Sequence, residues 1–152
     1  MGGGRRGEVV GGRQVPAAVW QHAVMLRLTL VTYLVRDLDR AIAFFVGSLG
    51  FVLRENEIRP DGSRWVVVAP DADAAAPGLR LAPADVDAGD PLGRQAGQGV
   101  GFFLQTTDFA SQHSRMLTAG VTFLEEPRHE VYGTVAVFTD PDGQRWDLIQ
   151  PS

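Results

Sequence analysis

The strongest constraint on the fold is a pattern that occurs twice along the chain. Each copy has a strand-like segment, an aspartate at a helix N-cap, a short amphipathic helix ended by glycine, and three further strands. The aspartates are Asp37 and Asp108, 71 residues apart, and Gly50 and Gly120 follow them by 13 and 12 residues. An N-cap carboxylate satisfies free N–H groups, and glycine supplies the left-handed backbone that ends a helix. The pattern predicts an internal duplication of a βαβββ unit.

The duplication divides the chain into four segments. Residues 1–24 are rich in glycine and arginine and show no helix or strand period, so we expect a disordered tail, with Met25 as a candidate start of the folded unit. Residues 25–83 form the first unit, 84–99 a connector rich in Pro and Gly, and 100–152 the second unit. Because units of this size are marginally stable alone, we expect the two to share one core.

Alternating side chains predict a strand over residues 25–35 and an equivalent strand over 100–107. The register gives each strand two faces. One face carries Leu30, Thr32, Leu34, Gly101, Phe103 and Gln105, and the face against the helices carries Val31, Tyr33, Phe102 and Leu104. Further strands are expected to begin at residue 51 and to cover residues 65–69, 78–82, 121–123, 134–138 and 145–150.

Composition excludes several classes of function. The net charge is −4, and the 14 basic residues are scattered, so no continuous positive surface is available for nucleic acid. No apolar run approaches the roughly 20 residues of a membrane-spanning helix, and we expect a cytoplasmic protein without membrane association. The absence of cysteine removes disulfides, thiolate nucleophiles and thiolate metal sites.

Several motifs carry a resemblance to a known family. They are the run at residues 35–45, the triplets Leu49-Gly50-Phe51 and Ala119-Gly120-Val121, and the closing segment 140–148. The chain resembles the vicinal oxygen chelate superfamily, which includes glyoxalase I, bleomycin resistance proteins, extradiol dioxygenases and methylmalonyl-CoA epimerase. The resemblance covers residues 25–151. It implies an α+β fold in which paired βαβββ modules form a curved, cavity-enclosing mixed sheet, and it implies a homodimer.

The resemblance also marks four positions that hold a metal in the metal-using members of the family. Here they are Leu30, Arg80, Gly101 and Asp147. A divalent cation needs imidazole nitrogen or carboxylate and amide oxygen, and of these four only Asp147 offers a donor. We therefore expect no metal cofactor. The alternative is a Zn, Ni, Fe or Mn enzyme of the lactoylglutathione lyase, epimerase or extradiol dioxygenase type, with Asp147 joined by His129 or by a partner subunit.

The predicted cavity is mainly apolar with a few polar anchors, as in small-molecule pockets. The candidate ligand-binding residues are Leu30, Thr32, Trp65, Arg80, Phe103, Gln105, Tyr132 and Asp147. One hypothesis pairs Arg80 with Asp147 inside the cavity, or lets both address a polar ligand. The alternative directs Arg80 to solvent and Asp147 to backbone amides. Gly101, which lacks a side chain, is expected to leave room for a ligand.

Acid–base candidates lie in one predicted loop before Tyr132, namely Glu126, His129 and Glu130, although no partner spacing selects among them. Three functions follow. The first is a small-molecule binder that works by sequestration or by metal-independent chemistry. The second is the metal enzyme described above, and the third is a non-catalytic protein-interaction module.

Overall fold

The computed structural model describes residues 8–10, 13–15 and 25–152. Near the N-terminus, strands β1 (Glu8–Val10) and β2 (Arg13–Val15) pair antiparallel. These two strands are not among the strands predicted from the sequence. Residues 1–7, 11–12 and 16–24 of the predicted tail lie outside the described part of the chain, and disorder there stays a prediction.

The first unit contains four strands and one helical region. These are β3 (Leu30–Val35), α1 (Leu38–Ile42) with its π-helical continuation (Ala43–Ser48), β4 (Val52–Ile58), β5 (Arg64–Ala69) and β6 (Gly78–Pro83). The sheet order is β3-β6-β5-β4, in which β3 and β6 are parallel and the other pairs antiparallel. A parallel pair needs a crossover between its strands, and the remainder of the unit supplies it.

The second unit repeats this arrangement with one interruption. Its elements are β7 (Phe102–Gln105), α2 (Phe109–Thr118), β8 (Thr122–Phe123), β9 (Arg128–Glu130), β10 (Gly133–Thr139) and β11 (Arg145–Pro151). The sheet order is β7-β11-β10-β8, and β9 also pairs with β10. Because β8 and β9 pair with opposite ends of β10, together they take the place of β4. The fold is α+β with mixed sheets, as predicted.

The helix boundaries predicted from the repeated motif are confirmed. The Asp37 carboxylate accepts a hydrogen bond from the Arg40 amide at 2.8 Å, and the Asp108 carboxylate accepts one from the Ser111 amide at 3.1 Å. Gly50 and Gly120 have φ of 85° and 86°, the left-handed region that favours glycine. Local chemistry therefore sets both ends of each helix.

Three strand predictions need correction. The first long strand begins at Leu30, and Met25 and Leu26 are 87% and 93% exposed. The reason is the neighbouring strand: β6 starts at Gly78, the partner of Leu30, so earlier residues have no strand beside them. The second-unit strand begins at Phe102 rather than at residue 100, and residues 128–130, predicted as loop, form β9.

The two units share one hydrophobic core. The Tyr33 ring lies 4.9 Å from that of Phe102 and 5.8 Å from that of Trp146, and Phe45 of the first helical region lies 5.8 Å from Trp146. The Gln112 side chain of α2 donates a hydrogen bond to the Leu49 carbonyl at 3.1 Å. Each unit therefore supplies one layer of a common interior. None of the helices in the described part of the chain has the length and hydropathy of a membrane span.

Candidate ligand-binding faces of the two sheets

Each sheet has one face on the shared core and an opposite face, which we call the open face. In the first sheet, Val66 and Val68 of β5 belong to the core, so Trp65 and Val67 belong to the open face. Cross-strand register sets two rows on that face. They are Thr32, Arg80, Val67 and Glu55 in one row, and Leu34, Ala82, Trp65 and Glu57 in the other.

Two guanidinium groups surround the Trp65 ring on this open face. Their central carbons lie 4.2 Å (Arg59) and 5.0 Å (Arg80) from the ring centroid, within the range of a cation–π interaction. The indole N–H donates a hydrogen bond to the Glu55 carboxylate, which fixes the ring. Nε of Arg80 is buried and has no hydrogen-bond partner in the described structure. This cluster combines an aromatic surface with an unused charged donor.

A pocket of about 550 Å³ occupies the Leu30 end of the same face. Its lining residues are Thr29, Leu30, Val52, Leu53, Arg54, Glu55, Val67, Ala72 and Ala74. The wall that contains Ala72 and Ala74 is held by Arg54, which donates to the carbonyls of Ala76 and Asp71 at 2.7 Å each and to that of Asp73. One arginine thus fixes a loop against the pocket, whose volume suits a small organic molecule.

The open face of the second sheet is acidic and aromatic. Asp147 pairs with Phe103 and Val137 on its neighbouring strands, and Phe103 is 69% exposed. Oδ1 of Asp147 is buried without a hydrogen-bond partner among the described residues. Burial raises the pKa of Asp147 above its ordinary value, although the charge of Arg128 opposes the shift.

Two further residues of this face, Glu125 and Arg128, are not among the site residues predicted from the sequence. Nε of Arg128 lies 3.0 Å from both Glu125 oxygens, and its Nη1 donates to Glu130 at 2.9 Å. Glu125 also accepts the Val137 amide at 3.1 Å, which fills the gap between β8 and β9. The alternating charges at 125, 128 and 130 would have indicated this network if β9 had been recognised as a strand.

The predicted ligand-binding residues divide between the two sheets. Leu30, Thr32, Trp65 and Arg80 share the open face of the first sheet. Phe103, Gln105 and Asp147 share that of the second. Tyr132 lies apart in the turn between β9 and β10 and is 55% exposed.

The acid–base candidates are not brought together by the fold. Glu126 is exposed and borders a surface pocket beside His113. His129 is exposed, pairs in register with Thr134 and has Nδ1 3.2 Å from the Thr134 hydroxyl, on the face opposite Arg128. Glu130 is engaged by Arg128. The three side chains therefore do not converge on one reacting position.

The ion pair between Arg80 and Asp147 and the free space at Gly101 are both wrong for the single chain. Arg80 and Asp147 lie on different sheets; Arg80 sits over Trp65, and the charged neighbours of Asp147 are Arg128 and Glu125. The space beside Gly101 is filled by the connector. A Cβ at Gly101 would lie 2.6 Å from Cβ of Ala96 and 2.9 Å from Nε2 of Gln144.

The connector is fastened to the edge of the first sheet by Gln95. Its side chain accepts the Leu34 amide at 2.9 Å and donates to the Thr32 carbonyl, so it satisfies backbone groups of the edge strand β3. Its own amide donates to the Gln144 side chain at 3.0 Å. Gln95 thus joins the two units from outside the core.

The four positions that the resemblance marks for a metal do not fit a divalent cation. Leu30 and Gly101 offer no side-chain donor, and Arg80 carries a permanent positive charge. Asp147 is on a different sheet from Leu30 and Arg80. Within residues 25–152 and the two short strands before them, no group of three or more His, Cys, Asp or Glu side chains is arranged to hold a metal ion.

Two βαβββ units around one core, each with an open sheet face, define the paired-module class of α+β proteins. The family model described as the Glyoxalase/Bleomycin resistance protein/Dioxygenase superfamily matches residues 27–148, and the chain belongs to this superfamily.

Individual proteins and solved structures are also similar to this chain. An uncharacterized protein of Shewanella frigidimarina (strain NCIMB 400) is 39% identical over 121 residues, which cover 79% of this chain and 90% of that protein. The crystal structure of TnmS3, an antibiotic binding protein from Streptomyces sp. CB03234, superposes with a TM-score of 0.70 at 29% identity, covering 86% of this chain and all of that one (100%). The crystal structure of UcmS2 also gives 0.70 at 29% identity, covering 83% and 98%.

Proposed function

We propose that this protein binds and sequesters a small organic molecule on its open sheet faces, without a metal ion. The observation that carries the proposal is the Trp65–Arg80 cluster beside the 550 Å³ pocket, an aromatic surface with an unsatisfied polar donor. Ligand pockets commonly combine apolar surface with a few polar groups that fix orientation. The similarity to TnmS3, an antibiotic binding protein, supports the same function.

Sequestration accounts for the site better than catalysis does. The acid–base candidates Glu126, His129 and Glu130 are separated, and a general base must lie within hydrogen-bond reach of the proton it removes. The family's metal positions supply one carboxylate, Asp147, and that carboxylate is destabilised by burial. A binding protein requires neither a proton donor nor a metal.

The working form of the protein is a homodimer in this proposal. The open faces expose apolar side chains that one chain leaves uncovered. They include Leu53, which lines the pocket, and Phe103 and Leu124 of the second unit. A second copy that places its second sheet over the first sheet of its neighbour would enclose the pocket and bring opposite charges, Arg80 and Asp147, onto facing walls.

A thermal-shift screen of aromatic natural products and antibiotics, followed by calorimetry of the hits, tests the binding function. A ligand of the folded state raises the melting temperature by mass action, and Trp65→Leu removes the rise. The protein for this test is purified from cultures supplied with nickel, zinc, iron and manganese. A stoichiometric metal bound through side chains of this chain would refute the metal-free proposal.

A further inference from the structure

We propose that the Trp65–Arg80 cluster selects planar aromatic ligands that carry an acidic group. The inference rests on the proposed function and adds to it the chemical class of the ligand. It follows from three properties of one face of the first sheet: an anchored indole, a guanidinium with an unused donor, and a second guanidinium beside the same ring.

The first property is the fixed position of the indole. Trp65 is partly exposed, and its N–H is tied to Glu55 on the neighbouring strand β4. Offset stacking of a second aromatic ring requires a flat surface that does not have to be ordered on binding. Trp65 offers that surface next to the pocket lined by Leu53 and Val67.

The second property is the unsatisfied donor of Arg80. Its Nε is removed from water and makes no hydrogen bond to the described residues, and none of the ion pairs between described residues includes this side chain. A buried charged donor left without a partner is costly. A carboxylate, sulfonate or phenolate would satisfy it, and the guanidinium fork matches two oxygens of such a group at once.

The third property is a second guanidinium beside the ring. Arg59 and Arg80 both approach Trp65, on a face that also carries Glu55 at the indole N–H and Glu57 in register with Trp65. Arg59 lies at the exposed β4–β5 turn, so its side chain is free to leave the ring and make way for a ligand. An acidic aromatic ligand would stack on Trp65 and place its anion between the two guanidinium groups.

Two fluorescent probes with one carbon skeleton test the inference. They are 8-anilinonaphthalene-1-sulfonate, which is anionic, and N-phenyl-1-naphthylamine, which lacks the sulfonate. The wild-type protein is expected to bind the anionic probe more tightly. Arg80→Met should lower the affinity for the anionic probe by at least about tenfold, because one charged hydrogen bond is lost. The affinity for the neutral probe should stay within about twofold of the wild-type value. Trp65→Leu should weaken both.

Matched control variants separate a specific role of the Arg80 guanidinium from the general effect of losing an arginine or of misfolding. Arg40→Met makes the same change at an exposed position on α1 and should alter neither probe. Arg80→Lys keeps the charge without the fork and should give an intermediate affinity for the anionic probe. Unchanged binding of the neutral probe to Arg80→Met also shows that the variant is folded.

Three outcomes would overturn the inference. If Arg80→Met affects both probes equally or neither, the acidic-group specificity is wrong while ligand binding itself stands. If neither probe binds the wild-type protein and the broader ligand screen also fails, the proposed function is lost as well. If Arg80→Met changes the oligomeric state by light scattering, Arg80 serves the contact between copies instead.

Discussion

The hydroxyl of Tyr33 donates a 2.6 Å hydrogen bond to Oδ2 of Asp140 and so joins the first strand of one unit to the final turn of the other. The Trp146 indole donates to the same hydroxyl at 2.9 Å, and Oδ1 of Asp140 accepts the Gln144 and Asp142 amides at 2.8 and 2.9 Å. The network is buried and every member is satisfied, which is the condition under which a buried polar cluster stabilises a fold. It fixes how the two units meet.

Tyr33→Phe is expected to destabilise the protein because it leaves the Trp146 N–H and the Asp140 carboxylate without their shared partner. The expected loss in the free energy of unfolding is about 1–3 kcal/mol, measured by urea denaturation. Tyr132→Phe removes the same hydroxyl from an exposed turn and should change stability by less than about 0.5 kcal/mol. Equal effects of the two substitutions would contradict the network.

Burial of the two acids in this network makes stability fall as pH rises, although the hydrogen bonds to Asp140 oppose its share of the effect. Burial raises the pKa of Asp140 above its ordinary 3.8 and the pKa of Tyr33 above its ordinary 10.0. Both acids hold their protons more tightly in the folded protein, so each contribution is complete below the unfolded-state pKa and is lost as pH passes the folded-state pKa. Stability should decline above pH 3.8 through Asp140 and again above pH 10.0 through Tyr33.

Urea midpoints measured across both ranges check this sign. Asp140→Asn should reduce the pH dependence of the urea midpoint in the acidic range, and Tyr33→Phe should reduce it in the alkaline range. A wild-type protein whose stability rises with pH between about 4 and 7 would show that paired carboxylates elsewhere outweigh Asp140.

Predictions from the sequence were accurate where the determining interactions lie between residues close together in the chain. The Asp37 and Asp108 caps and the Gly50 and Gly120 stops are local, and all four are confirmed. The similar strand order of the two sheets agrees with the repeated local pattern. Strand ends were less accurate, since the ladder partner decides where a strand begins.

For the site residues, the sequence indicated which side of a sheet they share but not which residues they contact. The family resemblance placed Arg80 and Asp147 in a cavity, yet neither the resemblance nor period-two alternation tells which sheet lies opposite which. The crowding at Gly101 depends on where the connector runs, and Ala96 sits there because Gln95 is tied to β3. Such long-range packing has no signature in a single sequence.

Gly101→Ala is expected to destabilise the protein by about 1–3 kcal/mol, because the new methyl group overlaps Cβ of Ala96 and the connector must move. Gly99→Ala is the matched control two residues earlier, where an added Cβ meets nothing within 4 Å. Thermal and urea unfolding of the two variants make the comparison. A Gly101→Ala protein as stable as Gly99→Ala would restore the idea that this position is open space for a ligand.

Asp147→Asn is expected to raise the free energy of unfolding at pH 7 by up to about 1 kcal/mol, because it removes a desolvated charge whose Oδ1 has no described partner. The pKa of Asp147 is raised by burial, so its protonated form is favoured in the folded state. The gain from Asn should therefore shrink as pH falls towards the ordinary value of 3.8. Asp142→Asn is an unsuitable control because that carboxylate accepts the Arg36 amide. Exposed Asp87→Asn is preferable. A loss of stability in Asp147→Asn would mean that its charge is satisfied.

Arg54→Met is expected to loosen the loop at residues 71–77, because three carbonyls lose their common donor. Amide hydrogen exchange should accelerate there by at least about tenfold, whereas β10 and β11 keep their protection. Arg64→Met is the matched control, since Arg64 belongs to the same sheet but contacts Asp39 and Asn56. If both variants exchange equally in this loop, Arg54 does not hold the pocket wall. If only Arg54→Met loosens the loop, the wall of the first-sheet pocket depends on a single side chain. Ligand affinity should then be lower in this variant, because binding has to order the loop and that ordering costs entropy.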